Sequence, residues 1–234
     1  MSTLKPITIY GHMVAPNVSK TIVIIRELNL PVTILPWDLS RAKSPEFVKI
    51  NPNGRFPAIH DPNRDITIWE SGAIIEYLVS EYDKEKQVIS FPRDSDEDHF
   101  ARQYLHFQMS GQGPYYGQAF WFQNYHAEKL PSAIERYVNE TKRVTAVLDK
   151  VLEGKEWLVG GKCSFADLAF LMYQVTVGKI LGDEGYDASV ESPNVAKWIE
   201  RMKERPAVAL TLKERNEAWK AVQLQKQQQE LEKQ

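Results

Sequence analysis

Between Ile7 and Leu35 the chain reads strand, helix, strand in about thirty residues, a spacing that leaves few folds open. Ile7 to Tyr10 is a short apolar strand. After a loop containing Ala15-Pro16-Asn17, a helix carries Val18, Ile22, Ile25 and Leu28 at helical spacing, and Val32-Thr33-Ile34-Leu35 follows the break at Pro31. Two strands joined in this way pair in parallel through a right-handed crossover. Ser44-Pro45-Glu46-Phe47 then starts a second helix, with Ser44 as its cap and Pro45 in the first helical position. Arg55-Phe56-Pro57-Ala58-Ile59 is a strand opened by proline. A polar turn over Asp61-Pro62-Asn63-Arg64-Asp65, a strand over Ile66-Thr67-Ile68-Trp69 and a helix opening at Glu70 and Ser71 complete it. The order through Tyr82 is βαβαββα.

Asp83 to Ser95 is polar and irregular, the composition of a linker. Beyond it the pattern is helical throughout. Ile134, Tyr137, Val138, Thr141, Val144, Leu148, Val151 and Leu152 form one buried stripe, and Val195, Trp198, Ile199 and Met202 form another that stops at Pro206. The expected fold is therefore α/β plus all-α, with an α/β domain over residues 1–84, an all-α domain over 96–220, and a polar tail over 221–234. The glutamine-rich tail lacks the bulk to pack by itself, so a frayed helix or disorder is expected there.

With 29 basic against 31 acidic residues the formal net charge is -2, which offers no basic face for nucleic acid. No apolar run approaches the roughly 20 residues needed to span a bilayer, and Met1-Ser2-Thr3-Leu4-Lys5-Pro6 lacks a signal-peptide core. A soluble, cytoplasmic protein with no nucleic-acid or membrane partner is expected. The single cysteine, Cys163, rules out an internal disulfide and a zinc cluster.

Three residues of the hairpin and its helix suit a ligand. Proline gives up its N–H and keeps the preceding residue extended, so Phe56 can sit at an edge with its backbone N–H and C=O open to an extended ligand. Ser71 and the N–H groups at the start of its helix suit a carboxylate, and Glu70 suits an ammonium. Together they fit a short peptide-like zwitterion; an ordinary hairpin with Ser71 acting only as a cap fits the same letters. Ser164-Phe165-Ala166-Asp167 has the form of a reciprocal capping box ahead of an apolar helix, and its role is structural.

A small α/β unit of this order, the proline-led strand, Glu-Ser at a helix start and a capping box in a following helical domain resemble the glutathione transferase family over roughly Ile7 to Pro206. The chain is most similar to a subgroup shared by fungi and bacteria that includes the yeast nitrogen-regulatory prion protein and the Nu-class enzymes. The matching segments are Ala15-Pro16-Asn17-Val18-Ser19-Lys20, Asn51-Pro52-Asn53-Gly54-Arg55-Phe56-Pro57-Ala58, Trp69-Glu70-Ser71-Gly72-Ala73-Ile74, Gly113-Pro114 with Gly117-Gln118, Ala133-Ile134-Glu135-Arg136-Tyr137 and Arg205-Pro206-Ala207.

The resemblance implies a thioredoxin-like first domain with Pro57 cis, and glutathione as co-substrate. Phe56 would pair with its cysteinyl part, Glu70 and Ser71 would hold the γ-glutamyl end, and Arg41 and Lys43 lie in the loop that would supply a cation for the glycine carboxylate. Asn17 would donate to the glutathione sulfur, the catalytic contact, although an Asn at a helix head also serves simply as a cap. Bacterial relatives often carry Thr where this chain has Ala15, which puts more weight on Asn17, with Ser19 or Tyr10 as lesser helpers. Tyr104, Phe107, Gln108, Tyr115, Tyr116, Phe120, Trp121 and Tyr125 give the helical domain the aromatic richness of an electrophile pocket, with fewer than half expected to touch substrate. The resemblance also implies a homodimer in which Arg136 reaches glutathione across the interface; a surface ion pair with Glu135 or Glu140 is the alternative. The activity implied is conjugation of glutathione to hydrophobic electrophiles, in detoxification or in secondary metabolism, with disulfide reduction, peroxide reduction or a non-catalytic regulatory role as alternatives.

Overall fold

The computed structural model describes residues 4–181 and 185–231, and the chain divides into two compact units, Met1–Leu78 with Arg205–Gln234, and Val79–Glu204. In the first unit, β1 (Ile7–Tyr10), α1 (Pro16–Glu27), β2 (Val32–Leu35), α2 (Pro45–Val48), β3 (Ala58–Asp61), β4 (Ile66–Trp69) and α3 (Ser71–Tyr82) follow in the expected βαβαββα order. The strands lie in the order β2-β1-β3-β4, with β1 and β2 parallel and both other pairs antiparallel. This is a thioredoxin-like arrangement.

Helix α1 ends where its sequence says it should. Asn29 takes the left-handed conformation at φ 52°, its N–H reaches Arg26 O at 3.0 Å, and Leu30 N–H reaches Ile25 O at 3.0 Å, the paired bonds of a Schellman stop. Nearly the whole helix is buried, Val18 through Ile25 and Glu27, because the sheet takes one side and α11 (Pro206–Leu231) the other. Arg26 donates to Thr211 Oγ1 at 2.9 Å and to Glu214 at 2.7 Å, and Arg205 makes a forked pair with Glu27 at 2.8 and 2.6 Å.

The second unit is helical: α4 (Asp96–Phe107), α5 (Gly113–Asn124), α6 (Pro131–Val151), α7 (Phe165–Gln174), α8 (Val177–Leu181), α9 (Ala188–Glu191) and α10 (Pro193–Lys203). A π-helical turn, Gln108–Gln112, joins α4 to α5. Its cause is local: Pro114 has no N–H and its ring crowds the carbonyl a turn earlier, so the ladder widens by a residue. Both sequence stripes face inward, Val138, Thr141, Val144 and Leu148 on α6, and Val195, Trp198, Ile199 and Met202 on α10.

Two expectations about the division of the chain need correcting. The segment 83–95 is no loose linker: Asp83 is 1% exposed and accepts from Val88 N–H at 2.7 Å, Ile89 N–H at 2.9 Å and Ser90 Oγ at 2.8 Å, and Phe165 N–H reaches Ile89 O at 2.7 Å. One buried carboxylate folds the strap, and its polar letters turn inward. The all-α domain does not run to 220, because α11 groups with the first unit. The tail continues α11 as helix through Leu231; residues 232–234 lie outside the described residues, as do Met1 to Thr3 of the start. Among the described residues no helix is long and apolar enough to cross a membrane, and no group of His, Cys, Asp and Glu could hold a metal ion.

Candidate functional site

Strand register gathers the sequence motifs at one end of the sheet. Tyr10 pairs with Leu35 and with Ala58, and Ala58 pairs with Trp69, so these four residues form one row across all four strands. The chain beyond that row runs from Tyr10 into the α1 loop, from Leu35 toward Trp37 and Arg41, from Ala58 back to Pro57 and Phe56, and from Trp69 into Glu70 and Ser71. Gly11 pins two of these pieces together. At φ 141° it stands where a side chain would meet Val18 Cγ2 at 2.7 Å and Phe56 Cβ at 3.1 Å, so the first turn of α1 and Phe56 close on each other only over a glycine.

The start of α1 is left open. Ala15 is the N-cap and gives no side-chain hydrogen bond, and Pro16 at the first helical position has no N–H to satisfy. Val18 and Ser19 N–H both reach Ala15 O, at 3.0 and 3.1 Å. That leaves the half-buried Asn17, whose N–H and side-chain amide make no hydrogen bond with another described residue. Asn17 is thus the second helical residue and not the cap. Ser19 is unavailable to a ligand sulfur, since its buried hydroxyl donates to Met13 O. Tyr10 stacks edge-on against Trp37.

Phe56 and Pro57 are joined by a cis peptide bond, as the resemblance implied, and the Phe56 N–H and C=O make no hydrogen bond with a described residue. The Phe56 ring packs 4.5 Å from that of Phe47, which lies 5.3 Å from Trp37. Glu70 occupies the left-handed region at φ 70°, a costly conformation for a side chain with a Cβ, and it projects to solvent while its carbonyl accepts Ile74 N–H at 2.9 Å to begin α3. Ser71, 2% exposed, is the first residue of that helix. Of the two loop cations, Arg41 lies over the Trp37 ring at 5.5 Å and 3.7 Å from Glu46, while the Lys43 ammonium donates to Asn53 O at 2.6 Å.

Two features beside these residues escaped the sequence reading. Asn53 Nδ2 donates to Glu70 Oε1 at 3.1 Å and orients it. Lys20, one turn beyond Asn17 on α1, is fully buried, and burial pushes its ammonium down to about 7 against the pull of the Glu70 carboxylate. No sequence signal marks it, because Ser19, Lys20 and Thr21 together read as an ordinary polar stretch of a helix. The Asn53 contact has none either, because a Pro-Asn-Gly turn reads as a turn and nothing more.

In the helical unit the aromatic candidates separate by burial. Tyr104 and Tyr115 are half-buried and Trp121 is 43% exposed, so each presents surface. Gln108 and Tyr116 present none, and their assignment to an electrophile pocket does not hold. Tyr116, 0% exposed, bonds Thr145 Oγ1 and accepts from Gln174 Nε2 at 3.0 Å, and burial holds its hydroxyl protonated. Gln108 Nε2 donates to Gln112 Oε1 at 3.1 Å within the π turn. Arg136 is exposed on α6 and makes no ion pair with a described residue; Glu140 pairs instead with Arg143 at 2.8 Å. Around the capping box, the Asp167 carboxylate accepts from Ser164 N–H, Ser164 Oγ, Leu158 N–H and Trp198 Nε1 at 2.8–2.9 Å. Asp167 is therefore a structural hub, as the sequence suggested.

This geometry has counterparts. Residues 5–80 match the model of the glutathione S-transferase N-terminal domain, and residues 115–215 match that of a glutathione S-transferase C-terminal domain. The chain is 51% identical over 216 residues to the glutathione S-transferase-like protein tpcF of Aspergillus fumigatus, covering 89% of this chain and 95% of that one. It resembles the crystal structure of the glutathione transferase URE2P6 from Phanerochaete chrysosporium, in complex with oxidized glutathione, with a TM-score of 0.87 and 46% identity over 93% of this chain and 100% of that one. Yeast Ure2p in complex with glutathione aligns with a TM-score of 0.82 at 35% identity over 91% of this chain and 96% of that one. The open helix start, the cis-proline edge and the Glu-Ser corner thus belong to a member of the glutathione S-transferase family, of the Ure2p type.

Proposed function

We propose that the chain is a glutathione transferase that binds glutathione at the open end of its first unit and adds the sulfur to a hydrophobic electrophile. One observation carries the reading: at the end of the sheet where the ligand-binding segments converge, Asn17 and Phe56 keep hydrogen-bonding groups unspent beside a helix start with no cap. A free thiol ionises near pH 8.5, so the chemistry needs the thiolate stabilised. The Asn17 amide, its backbone N–H and the positive end of α1 converge where they would do this. The Phe56 backbone holds the cysteinyl part extended, Ser71 and the head of α3 take the γ-glutamyl carboxylate, and Glu70, steadied by Asn53, takes the ammonium. Arg41 or Lys43 supplies the cation for the glycine carboxylate.

No general base is required. The thiol proton leaves to solvent, the thiolate attacks the electrophilic carbon to form the C–S bond, and any leaving group departs with the electron pair; positioning and electrostatics supply the rate. The exposed Trp121 and the half-buried rings of Tyr104 and Tyr115 favour flat or hydrophobic electrophiles. A cytoplasmic homodimer, with Arg136 extending to the partner's glutathione, completes the reading, and the absence of any ion pair for Arg136 among the described residues suits it.

A second reading, reduction of disulfides or organic peroxides by glutathione, is favoured by Ala15, which offers the sulfur no hydroxyl, and by the oxidized glutathione bound in the URE2P6 and URE2P8 structures of Phanerochaete chrysosporium. Purified protein assayed with glutathione and chlorodinitrobenzene, hydroxyethyl disulfide or cumene hydroperoxide separates the readings. Conjugation as the fastest reaction supports the first and faster reduction the second. Glutathione binding without turnover of any of the three would leave a regulatory protein.

A further inference from the structure

The second unit carries a cleft that has no part in the proposed glutathione chemistry. It lies where the end of α7 meets α8, α9 and α10, has a volume of about 690 Å³, and is walled mainly by apolar side chains, Val175, Val177, Val195 and Ile199 among them. A cleft of that size takes a molecule of several rings. Gly178 of α8 keeps it open. A glycine inside a helix costs stability, and here neither backbone nor crowding asks for one: its φ is not in the left-handed region, and a Cβ would meet no atom within 4 Å. Two polar side chains on the wall have groups unspent. Gln174, 2% exposed, donates through Nε2 to the Tyr116 hydroxyl at 3.0 Å, while its Oε1 is buried with no partner among the described residues. Arg201 is fixed by the bond from Nη2 to Glu156 O at 2.7 Å and by the Trp157 ring at 5.6 Å, and its Nε is likewise buried without a partner. Buried polar atoms without hydrogen bonds are uncommon and costly, and these two share one cleft.

We propose that this cleft is a second ligand site, one that binds a flat polycyclic phenol. Every residue lining it belongs to the second unit, and none is among the residues placed in contact with glutathione or its electrophile. The apolar walls take the rings, together with Tyr186, whose own hydroxyl is already bonded to Ser192 Oγ at 3.1 Å. The phenol proton goes to Gln174 Oε1; the terminal torsion of that amide is broad, and a small rotation turns the oxygen toward a guest. An oxygen elsewhere on the guest accepts from Arg201 Nε. Chemistry of this kind discriminates. A hydrocarbon would leave both polar groups unmet, and a carboxylate, ionised at neutral pH, has no proton to give Gln174.

The test is fluorescence titration of the full chain with 1-hydroxypyrene and with 1-methoxypyrene, which has the same rings but no proton to give. Wild type is expected to bind the phenol about fivefold more tightly than the ether, the worth of one net hydrogen bond. Gly178→Phe fills the cleft and removes a helical glycine, so its melting midpoint should not fall below that of wild type while its affinity for 1-hydroxypyrene drops about tenfold or more. Should that variant not fold, Ala196→Phe on the α10 wall replaces it. Gln174→Met is expected to erase the preference for phenol over ether, which a purely structural glutamine would leave in place. Absence of probe binding to wild type, equal affinity in wild type and the filled variant, or equal affinity of wild type for phenol and ether would each overturn the proposal. None of these readouts depends on glutathione turnover, so the proposal and the glutathione reading fail separately.

Discussion

Helices α1 and α7 begin in opposite ways, one uncapped and one fully capped. At α7, Ser164 and Asp167 form a capping box, and Asp167 accepts four hydrogen bonds, from Ser164 N–H and Oγ, Leu158 N–H and Trp198 Nε1. Burial pushes that carboxyl up, and the four donors work against it. At α1 the cap is an alanine, the next residue has no N–H, and the Asn17 groups are unspent. A helix end closed by its own side chains is complete in itself; one left uncapped keeps N–H groups that the proposed ligand would close.

Breaking the closed end should have the largest effect. Asp167→Ala strands two backbone N–H groups and the Trp198 indole, and is expected to cost about 3–5 kcal/mol in denaturant unfolding, with glutathione affinity of the remaining folded protein unchanged. A cost as small as that of an ordinary lost cap, about 1 kcal/mol, would mean the hub is not one.

The open unit should show its cost through pH. Lys20 folds with an ammonium pushed down to about 7 from 10.5, so between those values the unfolded chain binds more protons than the folded one. Wild-type stability should therefore rise as pH increases from about 7 to about 10, and below 7, with Lys20 protonated in both states, this contribution is constant. Urea melts across that range should show the slope in wild type and a flatter line in Lys20→Met, which is also expected to be more stable near neutrality.

At the proposed sulfur contact, Asn17→Ala is expected to lower kcat for conjugation about a hundredfold, the usual loss for one aimed donor, with glutathione binding weakened only a fewfold. The smallest and most pointed change closes the open end artificially. Ala15→Asp supplies the missing cap and a charge that suits the helix dipole, so it should stabilise the fold by about 0.5–1 kcal/mol in thermal melts. The same carboxylate would occupy the N–H groups proposed to face the thiolate and repel it, so the pH–rate profile should move upward. A variant that gains stability and keeps its full rate at neutral pH would show that the open cap has no part in the chemistry.

How much of this could be read from the letters follows from where the partners come from. The βαβαββα order, the stripes of α6 and α10 and the Ser164 box depend on spacing within one segment, and spacing is what a sequence displays. Gln108 and Tyr116 misled because α5 is apolar around its whole circumference and the π turn before it resets which side faces inward. Asp83 misled because its partners are backbone N–H groups, which every residue has, so a buried hub and a solvated strap look alike. The placement of α11 rests on Arg26 and Glu214, 188 residues apart, a pairing no local pattern announces. Of the proposed site, the cis bond before Pro57 and the start of α3 at Ser71 follow from turn and cap patterns in the letters, whereas the hydrogen bond from Asn53 to Glu70 does not.

The central claim is that the open head of α1 binds glutathione as an anion. Ultraviolet titration of the thiolate band of bound glutathione against pH, in wild type and in Asn17→Ala, tests it directly. The account predicts an apparent pKa below that of the free thiol by at least about one unit in wild type, returning most of the way in the variant. Glutathione that binds to wild type and titrates as it does in free solution would contradict it.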